Sequence, residues 1–364
     1  MDYLHGLLQS AIDHGASDIH LKPDAPVTFR VSGVLVTPPL AQPGLDQVAA
    51  IVHAILPARL VARLDSDHEV DFSYLHDHRW RFRVNVFHQR GNLCLAMRAV
   101  KIKIPSFADL HLPEQLGKIA TAENGIVFVT GATGSGKSST LAAMLEFINL
   151  NERCHIITLE DPIEYVFTDS QSVIEQREIG LDTTSFPSAL VHVLRQDPDV
   201  IMIGEMRDSE SFMAALAAAD TGHLVLTTLH TTTAGSAIGR MLDFYSADER
   251  DQMRRQIAAN LRAVVCQRLV AGINGGVVPA VEIMINTPMV RKLLEENRLD
   301  KLAAAIETGS DDGMQSFNQS LLKLVKAKMI TETEALGKAT NPDALKMNLR
   351  GIFLDESRRI MSAS

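Results

Sequence analysis

Residues 131–138 read GATGSGKS, and this stretch decides the fold class of the chain. It matches G-x-x-x-x-G-K-[ST], a loop whose glycines allow backbone N–H groups to turn toward phosphate groups. The preceding residues 126–129 (IVFV) are apolar and mostly β-branched, which predicts a buried strand. Residues 139–150 (STLAAMLEFINL) have apolar side chains at helical spacing. A strand, a glycine loop and a helix N-terminus in this order predict a site for a nucleoside triphosphate.

The positions of this loop have separate predicted roles. Lys137 is expected to reach the β- and γ-phosphates, and Ser138 to hold Mg²⁺ through its hydroxyl. The predicted nucleotide-binding residues are Gly131, Thr133, Gly134, Ser135, Gly136, Lys137, Ser138 and Ser139. No motif that reads the base is evident, so the loop alone does not select ATP over GTP.

Composition and charge disfavour several classes of protein. The chain has 364 residues, enough for two domains, and no apolar run approaches the ~18 residues of a membrane-spanning helix. Its first residues lack a basic segment followed by an apolar core, so we expect no signal peptide. The three cysteines form no C-x-x-C pair, which argues against a zinc site and favours a reducing cytosol. The net charge of −9 argues against nucleic acid as the main partner.

The pattern of apolar residues predicts two domains. Residues 1–100 are predicted to form an α+β domain with a mostly antiparallel sheet, and residues 101–115, which contain two prolines, a linker. In residues 116–364 strands alternate with helices, which predicts a parallel α/β sheet followed by a helical C-terminal part. Strands of the second domain are expected at 126–130, 155–159, 200–203, 224–228 and 280–285, and mainly helix at 248–359.

Two acidic segments follow predicted strands of the second domain. Residues 159–165 (LEDPIEY) place carboxylates where ligands bind in open α/β sheets, and one of them could orient the water that attacks the γ-phosphate. The alternative is a solvated acidic turn. Residues 200–205 (VIMIGE) are an apolar strand that ends in Glu205, which could bind Mg²⁺ through a water or polarise the attacking water. The alternative is a solvated strand end.

Histidines and arginines supply further candidates. His223 and His230 bracket a predicted strand and lie seven residues apart, so they should point to opposite faces and not share a metal. A histidine near a γ-phosphate can sense it by hydrogen bonding, although a lone histidine is more often structural. Arg83 and Arg98 of the first domain are either part of a solvated face or, in a ring of nucleotide triphosphatases, donors that neutralise γ-phosphate charge.

Several segments in this order resemble the motor ATPases of secretion systems and type IV pili, above all the retraction ATPases of the PilT and PilU type. The matching segments are GASDIHL (15–21), RFRVNVF (81–87) with QRG (89–91), the Walker A loop (131–140), the aspartate box EDPIEY (160–165), LRQDPD (194–199) with the Walker B end GEMRD (204–208), and the histidine box (221–231).

The resemblance implies a homohexameric ring whose subunits join a PAS-like N-terminal domain to a RecA-like P-loop ATPase domain. It implies ATP and Mg²⁺ as cofactors, Glu164 as the catalytic glutamate and Glu205 as the Walker B glutamate that contacts Mg²⁺ through water. His223 and His230 match the histidine-box residues. The arginines that the N-terminal domain contributes to the nucleotide match Arg83 and Arg98.

The resemblance also implies a cytoplasmic location at the inner-membrane pilus base, with a platform protein and a paralogous retraction ATPase as partners. Extension and type II secretion ATPases share these motifs but usually carry a further N-terminal domain and a four-cysteine insertion, so the absence of C-x-x-C favours retraction. The retraction motif A-I-R-A-G is not present as such, and 287–294 is its counterpart, which leaves open an accessory motor of the PilU type or a paralogue with altered coupling. An assembly or secretion ATPase remains the alternative, and a nucleic-acid-translocating ring is disfavoured by the acidic charge and 5% aromatic content.

Overall fold

Residues 2–31, 33–77, 80–100 and 103–352 are described by a computed structural model, in which the chain divides into two units. The first unit is Met1–Lys103 with Pro162–Val166, and the second is Ile104–Asp161 with Phe167–Ser364. Most of the segment predicted as a linker therefore groups with the second unit, where Leu112 is buried in an apolar cluster. Residues 101 and 102 of the predicted linker, and 353–364 of the predicted ATPase domain, lie outside the described residues.

The first unit is built on an antiparallel sheet, as its alternating apolar pattern predicts. The six strands lie in the order β3-β2-β1-β6-β5-β4. Their bounds are β1 Ala16–Leu21, β2 Thr28–Val31, β3 Val34–Val36, β4 Glu69–His76, β5 Trp80–Gln89 and β6 Asn92–Ala99. The helices are α1 Asp2–Asp13, α2 Leu45–Ile55 and α3 Val61–Asp67. Pro57 follows the end of α2, because proline cannot continue a helix.

The second unit contains a seven-stranded sheet in the order β13-β12-β7-β11-β10-β8-β9. Strands β12 to β9 are parallel, and β13 is antiparallel to β12. The strands are β7 Gly125–Gly131, β8 His155–Glu160, β9 Val173–Glu178, β10 Val200–Ile203, β11 Leu224–Leu229, β12 Leu261–Ala271 and β13 Val277–Ile285. Every residue of β7, β10 and β11 is buried because apolar clusters cover both faces of the sheet.

Helices connect these strands and complete the second unit. They are α4 Gln115–Ala120, α5 Lys137–Asn151, α6 Phe186–Val193, α7 Ser209–Asp220, α8 Ala234–Leu242, α9 Arg250–Asn260, α10 Pro288–Glu295, α11 Leu302–Thr308, α12 Phe317–Lys326, α13 Glu332–Lys338 and α14 Pro342–Leu349. Helix α7 is capped by Asp208, whose side chain accepts a hydrogen bond from Ser211 N. At the start of α8, Ala234 N donates to the buried carboxylate of Glu282 at 2.9 Å.

The prediction of a mainly helical stretch from residue 248 is wrong for 261–279, whereas the strand predicted at 280–285 is part of β13. The stretch Leu261–Ala271 is strand β12, because tertiary pairing with β7 overrides an apolar pattern that is also compatible with a helix. A side-chain contact also joins the two strands, since Thr130 Oγ1 donates to Cys266 Sγ at 3.1 Å. Helices resume at Pro288. Strand β9, Val173–Glu178, was also absent from the strands predicted for the second domain.

No single helix among the described residues is long and apolar enough to cross a membrane. The pair Leu45–Ile55 and Ala58–Asp67 passes that test of length and composition only when taken together, across a bend of 113°.

Candidate active site

The candidate site lies at one edge of the large sheet. Strands β7, β11, β10 and β8 are parallel neighbours, so their carboxyl ends meet at that edge, where ligands of open α/β sheets bind. The loop 131–136 follows β7, Glu205 follows β10, and His230 follows β11. Because these strands are parallel, three segments that are up to a hundred residues apart in the sequence lie at the same edge of the sheet.

The conformation of the glycine loop requires glycine at its first and last positions. Gly131 has φ +153°, and a Cβ atom there would collide with the Ser135 hydroxyl and lie 2.7 Å from the Gln267 carbonyl oxygen. Gly136 has φ +92°, a left-handed conformation that leads directly into α5. Larger residues at these two positions would distort the loop between β7 and α5.

The interior of the loop contains polar groups suited to phosphate. The Lys137 ammonium group is buried and donates to the carbonyls of Gly131 at 3.0 Å and Ala132 at 3.2 Å. The buried Ser135 hydroxyl has no hydrogen-bond partner among the described residues. The N-terminus of the 15-residue helix α5 adds positive potential at the same place. A cation, an uncommitted hydroxyl and a helix N-terminus in one loop fit a nucleotide phosphate group.

The other predicted loop residues lie around this centre. Ser138 and Ser139 are half-buried in the first turn of α5, and Thr133 and Gly134 are exposed in the loop. The hydroxyl of Ser138 is the group at this position that could hold Mg²⁺. Its role stays a prediction from the motif.

The tip that carries Glu205 is fixed by bonds to the strands on both sides. Gly204 N donates to Leu159 O of β8 at 2.8 Å, and Thr228 Oγ1 of β11 donates to Gly204 O at 2.7 Å. Strand β11 lies between β7 and β10, so at about 4.8 Å per strand the acidic tip is about 10 Å from the end of β7. Glu205 and the loop are therefore separated by the width of one intervening strand.

Each carboxylate oxygen of Glu205 has a nitrogen neighbour. The Arg207 guanidinium binds Oε2 at 2.8 and 2.9 Å, and His230 Nε2 lies 3.0 Å from Oε1. The hydrogen bond with Glu205 raises the pKa of Arg207, and the Asp161 carboxylate adds to that rise. The arrangement orients an acid next to a histidine, as needed to position a water or the water shell of a metal ion.

His223 is not brought to this edge within the second unit. It precedes the amino end of β11, about 20 Å along the strand from His230. Its Nδ1 lies 2.9 Å from Ala218 O and 3.1 Å from Thr221 Oγ1, where it closes the C-terminus of α7. The two histidines thus occupy opposite ends of the strand, and a catalytic role for His223 stays a prediction.

Arg83 and Arg98 are paired neighbours on β5 and β6 of the first unit. Arg98 Nε donates to Asp18 at 2.7 Å, and Arg30 lies 3.9 Å from the same carboxylate. Burial opposes ionisation of Asp18, but hydrogen bonds from Arg98 and Ser17 outweigh it and lower the pKa of Asp18. The carboxylate therefore holds Arg98 in place on the sheet surface.

Glu164 lies in Pro162–Val166, the segment that groups with the first unit. Its neighbour in the aspartate box, Glu160, is buried at the end of β8 and accepts hydrogen bonds from Thr158 at 2.7 Å and Gln176 at 3.1 Å. The role of Glu164 as the catalytic carboxylate stays a prediction from the resemblance.

Two partners of these residues were not singled out from the sequence. Arg207 follows Glu205 by two residues, and this short spacing of opposite charges is a signal that could have identified it. Asp18 is 80 residues from Arg98, and only the pairing of β1 with β6 brings them together. The sequence of β1 by itself does not show that Asp18 contacts Arg98.

Comparison with known proteins extends the likeness to both units. The model of the family described as type II/IV secretion system protein matches residues 1–323. The type IV pilus retraction ATPase PilT of Pseudomonas aeruginosa is 40% identical over 340 residues, covering 93% of this chain and 98% of PilT. The type IV pilus ATPase PilU of the same organism is 36% identical, covering 94% and 90%. A crystal structure of the pilus retraction motor PilT with bound ADP matches with a TM-score of 0.87 at 39% identity, covering 94% of this chain and 98% of that one.

Proposed function

The chain belongs to the type II/IV secretion system protein family and is an ATPase, and from this premise we propose that it powers the retraction of type IV pili. ATP hydrolysis would be converted into rotation of the first unit against the second and so into removal of pilin subunits from the pilus base. Twitching motility is the cellular process that this activity would drive.

One observation carries the proposal: the phosphate loop and the Glu205–Arg207–His230 group share one sheet edge, in a chain similar over nearly its whole length to a pilus retraction ATPase. The relative named for retraction is covered over 98% of its length. Nothing in the described part of the chain favours the assembly or secretion ATPase. Residues 287–294, where the retraction motif departs from its usual form, include most of α10, whose buried side chains are Val290, Leu293 and Leu294.

The residues of the site divide the chemical work of hydrolysis. Lys137 and the loop N–H groups would bind the β- and γ-phosphates, and Ser138 with Glu205 would hold Mg²⁺, the latter through water. Mg²⁺ would supply neutralisation of the developing phosphate charge. Glu164 would orient the attacking water and accept its proton, while His230, next to Glu205, would respond to the γ-phosphate. These roles agree with the motif positions and with the position of His230 beside Glu205.

The assembly that we propose is a homohexamer in the cytoplasm, docked at the inner membrane on a pilus platform protein. In such a ring Arg83 and Arg98 of the first unit would supply positive charge to the nucleotide. Asp18 would keep Arg98 oriented before nucleotide binds. A paralogous retraction ATPase is a further candidate partner. We expect no stimulation by nucleic acid, because the chain carries a net charge of −9.

The function is tested by deleting the gene in its source organism and counting surface pili. Loss of twitching with more surface pili would establish a retraction motor, whereas cells without pili would establish an assembly motor and refute the proposal. Complementation should restore motility with the wild-type gene and with Lys346→Ala, a distant lysine of α14, but not with Lys137→Ala. Restoration by Lys137→Ala would show that nucleotide binding at this loop does not drive the process.

A further inference from the structure

Gln267 of β12 lies against the first residue of the phosphate loop. In the register of β12 with β7 it is opposite Gly131, and its carbonyl oxygen is 2.7 Å from where a Cβ on Gly131 would lie. The side chain is buried, with only 3% of the residue exposed. The backbone of Gln267 therefore limits how far the start of the loop can move.

The side chain of Gln267 reaches the other end of the same loop. Its amide nitrogen donates to Thr140 Oγ1 at 2.7 Å, a contact between residues 127 positions apart. Thr140 is 1% exposed and lies one turn into α5, and its backbone N–H donates to Gly136, the last residue of the loop. One residue of β12 thus contacts both the strand before the loop and the helix after it.

The stability of the fold does not explain why residue 267 is a glutamine and not an apolar residue. Its Oε1 atom is buried and has no hydrogen-bond partner among the described residues, which costs free energy that an apolar side chain would not. Thr140 does not need Gln267 to satisfy its hydroxyl group. If Gln267 were replaced, this hydroxyl could donate to a backbone carbonyl in the preceding turn of α5. A buried polar atom without a partner needs a reason to be kept, and a role at a functional site is one such reason.

We propose that Gln267 is a positioning residue of the ATPase site, which holds α5 in register with β7 so that the loop N–H groups and Lys137 converge on phosphate. If the bond between Gln267 and Thr140 is lost, the start of α5 can shift relative to Gly131. The phosphate groups are bound by the loop both before and during hydrolysis, so the effect falls on affinity more than on turnover. The inference rests on the ATPase activity and is independent of the pilus role.

The test measures the Kd for ADP and the KM and kcat for ATP of purified full-length Gln267→Leu. We expect Kd and KM to rise about tenfold, as for loss of one hydrogen bond that orders a binding loop, with kcat within about twofold and the unfolding midpoint almost unchanged. Thr140→Val measures the same contact from the helix. The double variant should be no worse than either single variant, because both remove one interaction.

Gln315→Leu is the matched control. Gln315 is a buried glutamine of the same unit that donates to Val281 O at 2.9 Å and accepts from Lys323, not from the loop. Its replacement should lower the unfolding midpoint and leave Kd and KM unchanged. The proposal is overturned if Gln267→Leu or Thr140→Val leaves Kd and KM unchanged, or lowers the unfolding midpoint and kcat together. If Gln267→Leu does not fold, Thr140→Val alone decides. A wild-type protein that bound no ADP would instead contradict the nucleotide site itself.

Discussion

Replacement of Glu205 by Gln separates the chemical role of the Walker B acid from its structural role. The amide has the size of the carboxylate, and its one oxygen can still accept from Arg207 or His230, which lie 2.8 to 3.0 Å from the carboxylate. One charge-assisted hydrogen bond is lost. Because Arg207 is mostly exposed, that loss should cost no more than about 1 kcal/mol of folding free energy.

The expected loss of activity is larger. A carboxylate that positions water or a metal-bound water contributes about 10²- to 10⁴-fold to kcat, which is about 3–5 kcal/mol in the activation free energy. Phosphate release at saturating ATP measures kcat, and thermal unfolding with titration of a fluorescent ADP analogue measures stability and affinity. We expect kcat to fall by at least a hundredfold, with ADP affinity within about threefold and a small change in the unfolding midpoint.

Glu210→Gln is the control, because Glu210 is an exposed acid in the first turn of α7, five residues further along the chain. It should have normal kcat. If Glu205→Gln hydrolyses ATP within twofold of the wild-type rate, or loses ADP affinity as much as it loses kcat, then Glu205 does not have the proposed role.

Three further predictions concern the loop and two carboxylates. Gly131→Ala should weaken ADP binding, measured by calorimetry, at least about tenfold, because the added Cβ collides with the loop. Gly239→Ala is the control and should bind ADP normally, because a Cβ at this helical position has free space around it. Equal ADP affinities of the two variants would contradict the loop geometry. Hydrogen bonds from Arg98 and Ser17 lower the pKa of Asp18, so ionised Asp18 stabilises the fold above its ordinary pKa of 3.8, and this stabilisation is lost as pH falls. In Asp18→Asn the unfolding midpoint should therefore fall less steeply at acid pH than in the wild type. An equally steep fall in both proteins would refute this. Burial raises the pKa of Glu282 above its ordinary 4.5, so protonated Glu282 contributes its full stability below that pH, and this contribution is lost as pH rises. Relative to the wild type, the unfolding midpoint of Glu282→Gln should therefore increase from pH 4.5 upward. Midpoints of the two proteins that differ by the same amount at every pH would refute this.

Local patterns in the sequence predicted the elements that determine the fold. The glycine loop, the buried strand before it and the helix after it depend on nearest-neighbour chemistry, and each has the bounds expected to within a few residues. The ends of strands β8, β10 and β11 could also be placed at one sheet edge, because parallel strands share their direction. Elements set by periodicity and capping could therefore be deduced without the structure.

Contacts that depend on strand order could not be deduced in this way. Strand β12 has a pattern compatible with a helix and becomes a strand by pairing with β7, whose residues precede it by more than 130 positions. The roles of Gln267 and Asp18 depend on this kind of pairing. The spacing of His223 and His230 predicted opposite faces of a strand, and the structure places the two histidines at opposite ends of β11.

The pairing of β7 with β12 affects how the chain is synthesised. Thr130 and Thr140 leave the ribosome 136 and 127 residues before Cys266 and Gln267, their partners on β12. At roughly 5–20 residues per second, this delay is about 6 to 27 seconds. During that time the glycine loop has been made but the strand that shapes it has not. The nascent chain should therefore acquire tight nucleotide binding only after residue 271 has emerged, so that ATP cannot stabilise the early part of the fold.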